Sequence, residues 1–107
     1  MATGRLGAAD LSASTNTTLY GPVTAGTFTI ANVSICNRSA SSVTVRLALA
    51  SSASPGGAEW LEFGVTLPAN AVLERTGLVM KAAEYLVVWA SATSVNAVAY
   101  GIETSTT

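Results

Sequence analysis

The chain contains no histidine, a single cysteine, and charged residues at only 10% of its positions. The missing histidine removes the commonest general base, the commonest metal ligand and the usual activator of a Ser or Cys nucleophile. With one cysteine and one aspartate, Asp10, left as further ligands, zinc is excluded and calcium has no acidic loop to hold it. No catalytic, cofactor-binding or metal-binding residue is expected. Cys36 has no partner for an internal disulfide and reads as a small buried hydrophobe rather than a reactive thiol.

Long apolar runs are also missing. No stretch approaches the roughly 20 apolar residues of a membrane span, and the opening MATGRLGAADLSAS has no signal core. A soluble, unprocessed chain without a membrane partner is expected, apart from loss of Met1. The basic residues Arg5, Arg38, Arg46, Arg75 and Lys81 are scattered singly and the net charge is −1. No basic stripe exists to follow a phosphate backbone, so nucleic acid is not an expected partner.

What the chain does have is apolar residues at half of its 107 positions. That length suits one domain. With few charges to cover it, the surface must be made largely of Ser, Thr, Ala and Gly, leaving area free for contacts with neighbours.

Alternation and β-branched residues recur in short runs between Gly, Pro, Asn and Ser clusters, an all-β pattern. The clearest run is Ser42 to Ala50, with Val43, Val45, Leu47 and Leu49 on one face and Arg46 pointing away from the core. In Thr27 to Asn37 the apolar phase shifts from Phe28 and Ile30 to Val33 and Ile35. One extra residue near Ala31 or Asn32, a β-bulge, would restore both pairs to one face. The loop Arg38 to Ser41 is expected to close a hairpin between these two strands.

Thr17 to Tyr20 forms a weaker strand before Gly21-Pro22. After the Ser51 to Ala58 loop, Glu59 to Thr66 is expected to turn Leu61, Phe63 and Val65 inward. Ala71 to Thr76 and Leu78 to Met80 follow as short strands interrupted by Gly77. The helical alternative for AVLERTGLVMKAAEYL has that glycine in its middle and no bracketing caps.

The chain ends in an expected hairpin, Glu84 to Ala92 with Val95 to Glu103, whose strands are apolar on both faces. In an antiparallel sandwich one face of each strand normally meets water, so this pair is expected either to lie at the centre of a layered structure or, more economically in so small a chain, to carry an intersubunit surface. Seven or eight strands at a spacing of roughly 8 to 12 residues predict an antiparallel β-sandwich or jelly roll over residues 15–107. Residues 1–14 read as an extended N-terminal arm, which is unlikely to fold alone and suits strand addition to a neighbour.

Chemistry finds little purchase. Glu59 and Glu62 are three apart on an expected strand and point to opposite faces, so they cannot flank a glycosidic bond. Gly56-Gly57 lacks the Lys and Ser/Thr of a phosphate loop. Trp60 and Glu62 share a strand face and offer a sugar-stacking platform beside the Ser51 to Gly57 loop, a glycan-binding alternative to a plain packing role. Three N-x-[ST] triplets, at Asn16, Asn32 and Asn37, matter only in a secreted eukaryotic protein.

The segments Gly4 to Leu11 (GRLGAADL), Asn32 to Ser39 (NVSICNRS), Val43 to Ala50 (VTVRLALA) and Leu67 to Leu78 (LPANAVLERTGL) resemble those of small structural proteins encoded by tailed bacteriophages. The resemblance runs over most of the chain. It implies a multicopy β-sandwich component of the virion: a capsid decoration or cement protein, or a collar, tail or fibre-associated part. It carries no catalytic residues. The expected partners are other copies of the chain and other virion proteins, with a glycan as the alternative. The residues expected at the contact are Tyr85, Val87 and Trp89 with Tyr100 opposite, Trp60, and Arg5 and Leu6 of the arm, since aromatics are the usual interface anchors.

Overall fold

A computed structural model describes residues 3–105. Eight strands follow in order: β1 (Thr3–Asp10), β2 (Thr17–Tyr20), β3 (Thr27–Asn37), β4 (Val43–Ala50), β5 (Trp60–Leu67), β6 (Val72–Met80), β7 (Tyr85–Ala90) and β8 (Val95–Ser105). They form two four-stranded antiparallel sheets, β1-β8-β3-β6 and β2-β7-β4-β5. The pairings β1·β8, β2·β7, β3·β6 and β4·β5 are those of one long antiparallel ribbon folded back on itself. The further pairings β3·β8 and β4·β7 close the rolled ribbon into two layers, which is the topology of a jelly roll.

Between the sheets lies one core. Ala31, Val33 and Ile35 of β3 and Ala97 and Ala99 of β8 meet Val43, Val45 and Leu47 of β4 and Leu86, Val88 and Ala90 of β7. Their spacing of two along each strand is what puts them on one face. Side-chain polar links tie the layers together. The Tyr20 hydroxyl of β2 donates to the Glu103 carboxylate of β8 and lies 2.9 Å from Thr29 Oγ1 of β3. Arg75 of β6 and Glu62 of β5 form an ion pair at 2.5 Å, bridging edge strands of opposite sheets.

Several expectations change. The segment expected to be a free arm is, over Thr3–Asp10, edge strand β1 hydrogen-bonded to β8 of its own chain; Met1 and Ala2 lie outside the described residues. Its alternation is weak, so the signal that places it is the partner strand rather than its own sequence. Neither expected hairpin forms. The Arg38 to Ser41 loop crosses between sheets, and β7 and β8 also belong to different sheets. The two-sided apolarity of β7 and β8 therefore arises separately in each layer.

The extra residue near Asn32 exists, but it belongs to the partner. β3 pairs with β8 without interruption, whereas its register with β6 shifts between Ala31 and Val33. Gly77 takes up the slack at φ +68°, and its amide donates to Asn32 Oδ1 at 3.1 Å. Consequently β3 never changes phase: Ala31, Val33 and Ile35 face the core while Ile30 stays exposed. A single strand β6 replaces the two short ones expected, with the bulge at Gly77.

The loop after β3 is held by Asn37, which is fully buried. Its Nδ2 donates to the carbonyls of Ser41, Leu67 and Pro68, and its Oδ1 accepts from the amide and hydroxyl of Ser39. Every hydrogen-bonding capacity of the amide is used, as a buried polar group requires. The triplet Asn37-Arg38-Ser39 is thus a structural loop and not an exposed glycosylation acceptor.

Candidate interaction surfaces

The outer face of the β2-β7-β4-β5 sheet is built around Arg46 of β4. In the paired register Arg46 stands opposite Trp89 of β7 on one side and Phe63 of β5 on the other. Its guanidinium carbon lies 4.0 Å from the centre of the Trp89 ring and 4.2 Å from that of Phe63. The cation is clamped between two aromatic faces, which attract it through their quadrupoles. Its Nε is buried without a hydrogen-bond partner among the described residues, and no acidic side chain pairs with it.

Phe63 reaches this position because β5 is bulged twice. Alternation directs Phe63 inward with Leu61 and Val65, but Gly64 at φ +73° is inserted between the pairs Val45↔Val65 and Arg46↔Phe63. A glycine adopts this backbone conformation at little cost. The insertion turns Phe63 to the outside, where it is 59% exposed. A second shift, between Leu47↔Glu62 and Ala48↔Trp60, makes Leu61 the extra residue.

That second shift also undoes the expected pairing of Trp60 with Glu62. Trp60 goes to the outer face, edge-on to Phe63 with ring centres 5.2 Å apart, while Glu62 turns toward the other sheet to meet Arg75. Glu59 is likewise committed. Its carboxylate accepts the amides of Gly56 at 2.7 Å and Ser51 at 2.9 Å, which ties down the Ser51 to Ala58 loop. Those bonds, Gly56 first and Ser51 next, hold its pKa below the ordinary glutamate value.

Trp60 and Tyr85 also pack on a small second cluster of Ala48, Ala50 and Val87. Val87 is completely buried beneath them, which corrects its expected place among the contact residues: it supports the two rings and has no surface of its own to offer. Tyr85, Trp60 and Trp89 are half-buried.

Tyr100 does not belong to this surface. It lies on β8, on the outer face of the opposite sheet, and is 37% exposed. The single expected contact of Tyr85, Val87, Trp89 and Tyr100 therefore splits into two surfaces on opposite sides of the sandwich. Around Tyr100 stand Ile30, Val79 and Ile102, exposed at 45%, 63% and 51%. Arg5 is directly opposite Tyr100 on β1 and is exposed. Leu6, also expected at the contact, occupies the register shift between Arg5 and Gly7 and packs against the core instead. Cys36 sits at the far end of β3 and is half-buried rather than enclosed.

Sequence reasoning missed Ile30 as a surface residue, because a bulge placed within its own run makes it read as inward-facing. The signal that identifies it is the unbroken alternation from Ile30 through Thr29, Ala31 and Val33, visible once the bulge is assigned to Gly77. Among the described residues the surface has no pocket, and no group of three or more His, Cys, Asp or Glu residues is assembled. No protein family, curated protein or solved structure matches this chain.

Proposed function

We propose that the protein is a non-enzymatic structural component of a tailed-phage virion, present in many copies and assembling through protein–protein contacts as a capsid decoration or cement protein or as a head-tail or tail accessory. The observation that carries this reading is that both outer faces of the sandwich present large apolar side chains. Antiparallel sheets of a free-standing domain ordinarily turn a polar face to water, and contiguous exposed apolar surface marks an interaction site. The sequence resemblance to small phage structural proteins points the same way. So does the jelly roll, an architecture found in viral capsids, although lectins share it and fold alone does not assign a role.

On this reading the Arg46 surface faces another virion protein. Clamped aromatics and an arginine are the residue types that dominate interface energetics.

The test is binding to virions of the phage that encodes the chain. Purified protein is expected to co-sediment saturably with particles from which it is absent, and Phe63→Ala or Trp89→Ala to weaken that association. A stable monomer that binds neither particles nor any isolated virion protein would refute the reading. Glycan-array binding lost in Trp60→Ala would instead favour a carbohydrate-binding fibre module.

A further inference from the structure

We propose that the outer face of the β1-β8-β3-β6 sheet is a self-complementary contact through which two copies of this chain pair, about a two-fold axis parallel to the strands and passing between β8 and β3. The inference rests on the assembly reading for its role, and names the face and symmetry that self-association uses.

The apolar part of the face comes first. Ile30 is paired with Val79 on one side and Ile102 on the other, so the three form one row across β6, β3 and β8. At 63%, 45% and 51% exposure for Val79, Ile30 and Ile102, they are the kind of row that a protein interior or a neighbour covers. Tyr100 extends the patch into the next outward row, opposite Asn32.

The charges then select the occupant. Within the strands of this face stand Arg5, Asp10 and Glu74, and Asp10 is already neutralised by Arg38 at 2.6 Å. Arg5 and Glu74 are exposed and make no ion pair or hydrogen bond with the described residues. Arg5 lies on edge strand β1 and Glu74 on the opposite edge strand β6, roughly 14 Å apart across the sheet at the usual strand spacing. Their rows are adjacent outward rows: Arg5 aligns with Tyr100 and Asn32, Glu74 with Ser34 and Val98.

A two-fold axis along the strands lays β1 of one copy over β6 of the other, and β3 over β8. Arg5 then meets the partner copy's Glu74 at both ends of the contact, offset along the strands by about 7 Å, two residues' rise, which the long side chains span. Ile30 lies over the partner copy's Ile102. The alternative two-fold, across the strands, sets each edge strand over itself, where neither Arg5 nor Glu74 finds an unpaired opposite charge. The opposite sheet offers no such complement, because among the described residues Arg46 is the strand charge on its outer face and no acidic strand residue stands there to meet it. An isologous contact must be complementary to itself, and this face meets that requirement.

Sedimentation equilibrium on the wild type is expected to give twice the chain mass of 10.8 kDa. Arg5→Glu and Glu74→Arg each set like charges against each other at both symmetry-related sites and weaken dimerisation by about tenfold. The double reversal R5E/E74R restores it to within about threefold of wild type, and Ile102→Lys abolishes it. All three substituted positions are exposed, and an unchanged far-ultraviolet circular dichroism spectrum of the four variants establishes that they fold. A wild type that stays monomeric, a mass of an odd number of chains, or a double reversal as weak as the singles overturns the contact. A monomer that still binds virions overturns this contact alone, whereas a reversal-sensitive dimer that ignores every virion protein upholds the contact and refutes the assembly reading.

Discussion

The guanidinium of Arg46 lies 4.0 Å from the Trp89 ring, with Phe63 closing on it from the other side at 4.2 Å. Three strands thereby contribute one residue each to a single stack on the outer face of the sheet. Each exposed cation–π contact is worth about 0.5–1 kcal/mol, so Arg46→Ala is expected to cost about 1–2 kcal/mol while leaving the core intact. Urea denaturation checks the loss, and a change in tryptophan emission checks the stack. An unchanged midpoint would mean that the rings hold their places without the cation.

Gly64 decides where Phe63 points. Nothing crowds a Cβ there, but φ is +73°, and a non-glycine residue in that conformation costs about 1–2 kcal/mol. Gly64→Val is expected to destabilise by that amount or to relax the bulge. Relaxation returns Phe63 toward the core phase and separates it from Arg46, which the backbone amide shifts of Arg46 and Phe63 will register.

Asn37 joins the loop after β3 to the turn between β5 and β6. Asn37→Ala leaves the carbonyls of Ser41, Leu67 and Pro68 without their donor. An orphaned buried polar group costs about 1–3 kcal/mol, which makes this among the most damaging single polar substitutions expected in the chain. Asn37→Asp is expected to be worse, since it buries an acceptor against carbonyl oxygens. Equilibrium unfolding of both variants provides the comparison.

Tyr20 sets an alkaline limit. Burial first, and then the hydrogen bond to the Glu103 carboxylate, raise its pKa above the ordinary value of 10.0. The proton is therefore held more tightly in the folded chain than in the unfolded one. The stability this contributes is fully present below the ordinary tyrosine value and is lost as pH rises through the folded one. Tyr20→Phe should flatten that alkaline loss while lowering stability at neutral pH. An identical alkaline profile in the variant would assign the loss to another group.

Glu59 acts in the opposite direction. Its pKa is depressed by the amides of Gly56 and Ser51, so the order it gives the Ser51 to Ala58 loop is present above the ordinary glutamate value and is lost as pH falls through the folded one. The Gly56 and Ser51 amide signals should titrate together with a midpoint below 4.5. Glu59→Gln should remove that transition.

Much of this architecture can be read along the chain. The alternation of Val43, Val45 and Leu47 sets the core face of β4 because side chains of a strand alternate by two, whatever the partner strand. The absence of helical periodicity and the turn residues between runs specify an all-β chain in the same local way. Outward placement of Arg46 follows from the same register. Outward placement was partly legible too: Tyr85, Trp89 and Trp60 lie on one outer face, Tyr100 and Arg5 on the other.

What the sequence could not convey depends on partners far away in the chain. Phe63 faces solvent because the bulge at Gly64 is absorbed in the pairing with β4, and Ile30 does because the extra residue opposite Asn32 lies on β6 and leaves the alternation of β3 unbroken; a bulge assigned to the wrong strand reverses a whole phase. Val87 and Trp89 share a strand face, yet only the packing of Trp60 and Tyr85 over Val87 separates support from surface. The sequence by itself determined the elements and their inward faces, through local sterics and side-chain period. Tertiary structure alone decided which strands share a sheet, and so which exposed residues stand together, because strand pairing is a long-range choice that no local pattern encodes.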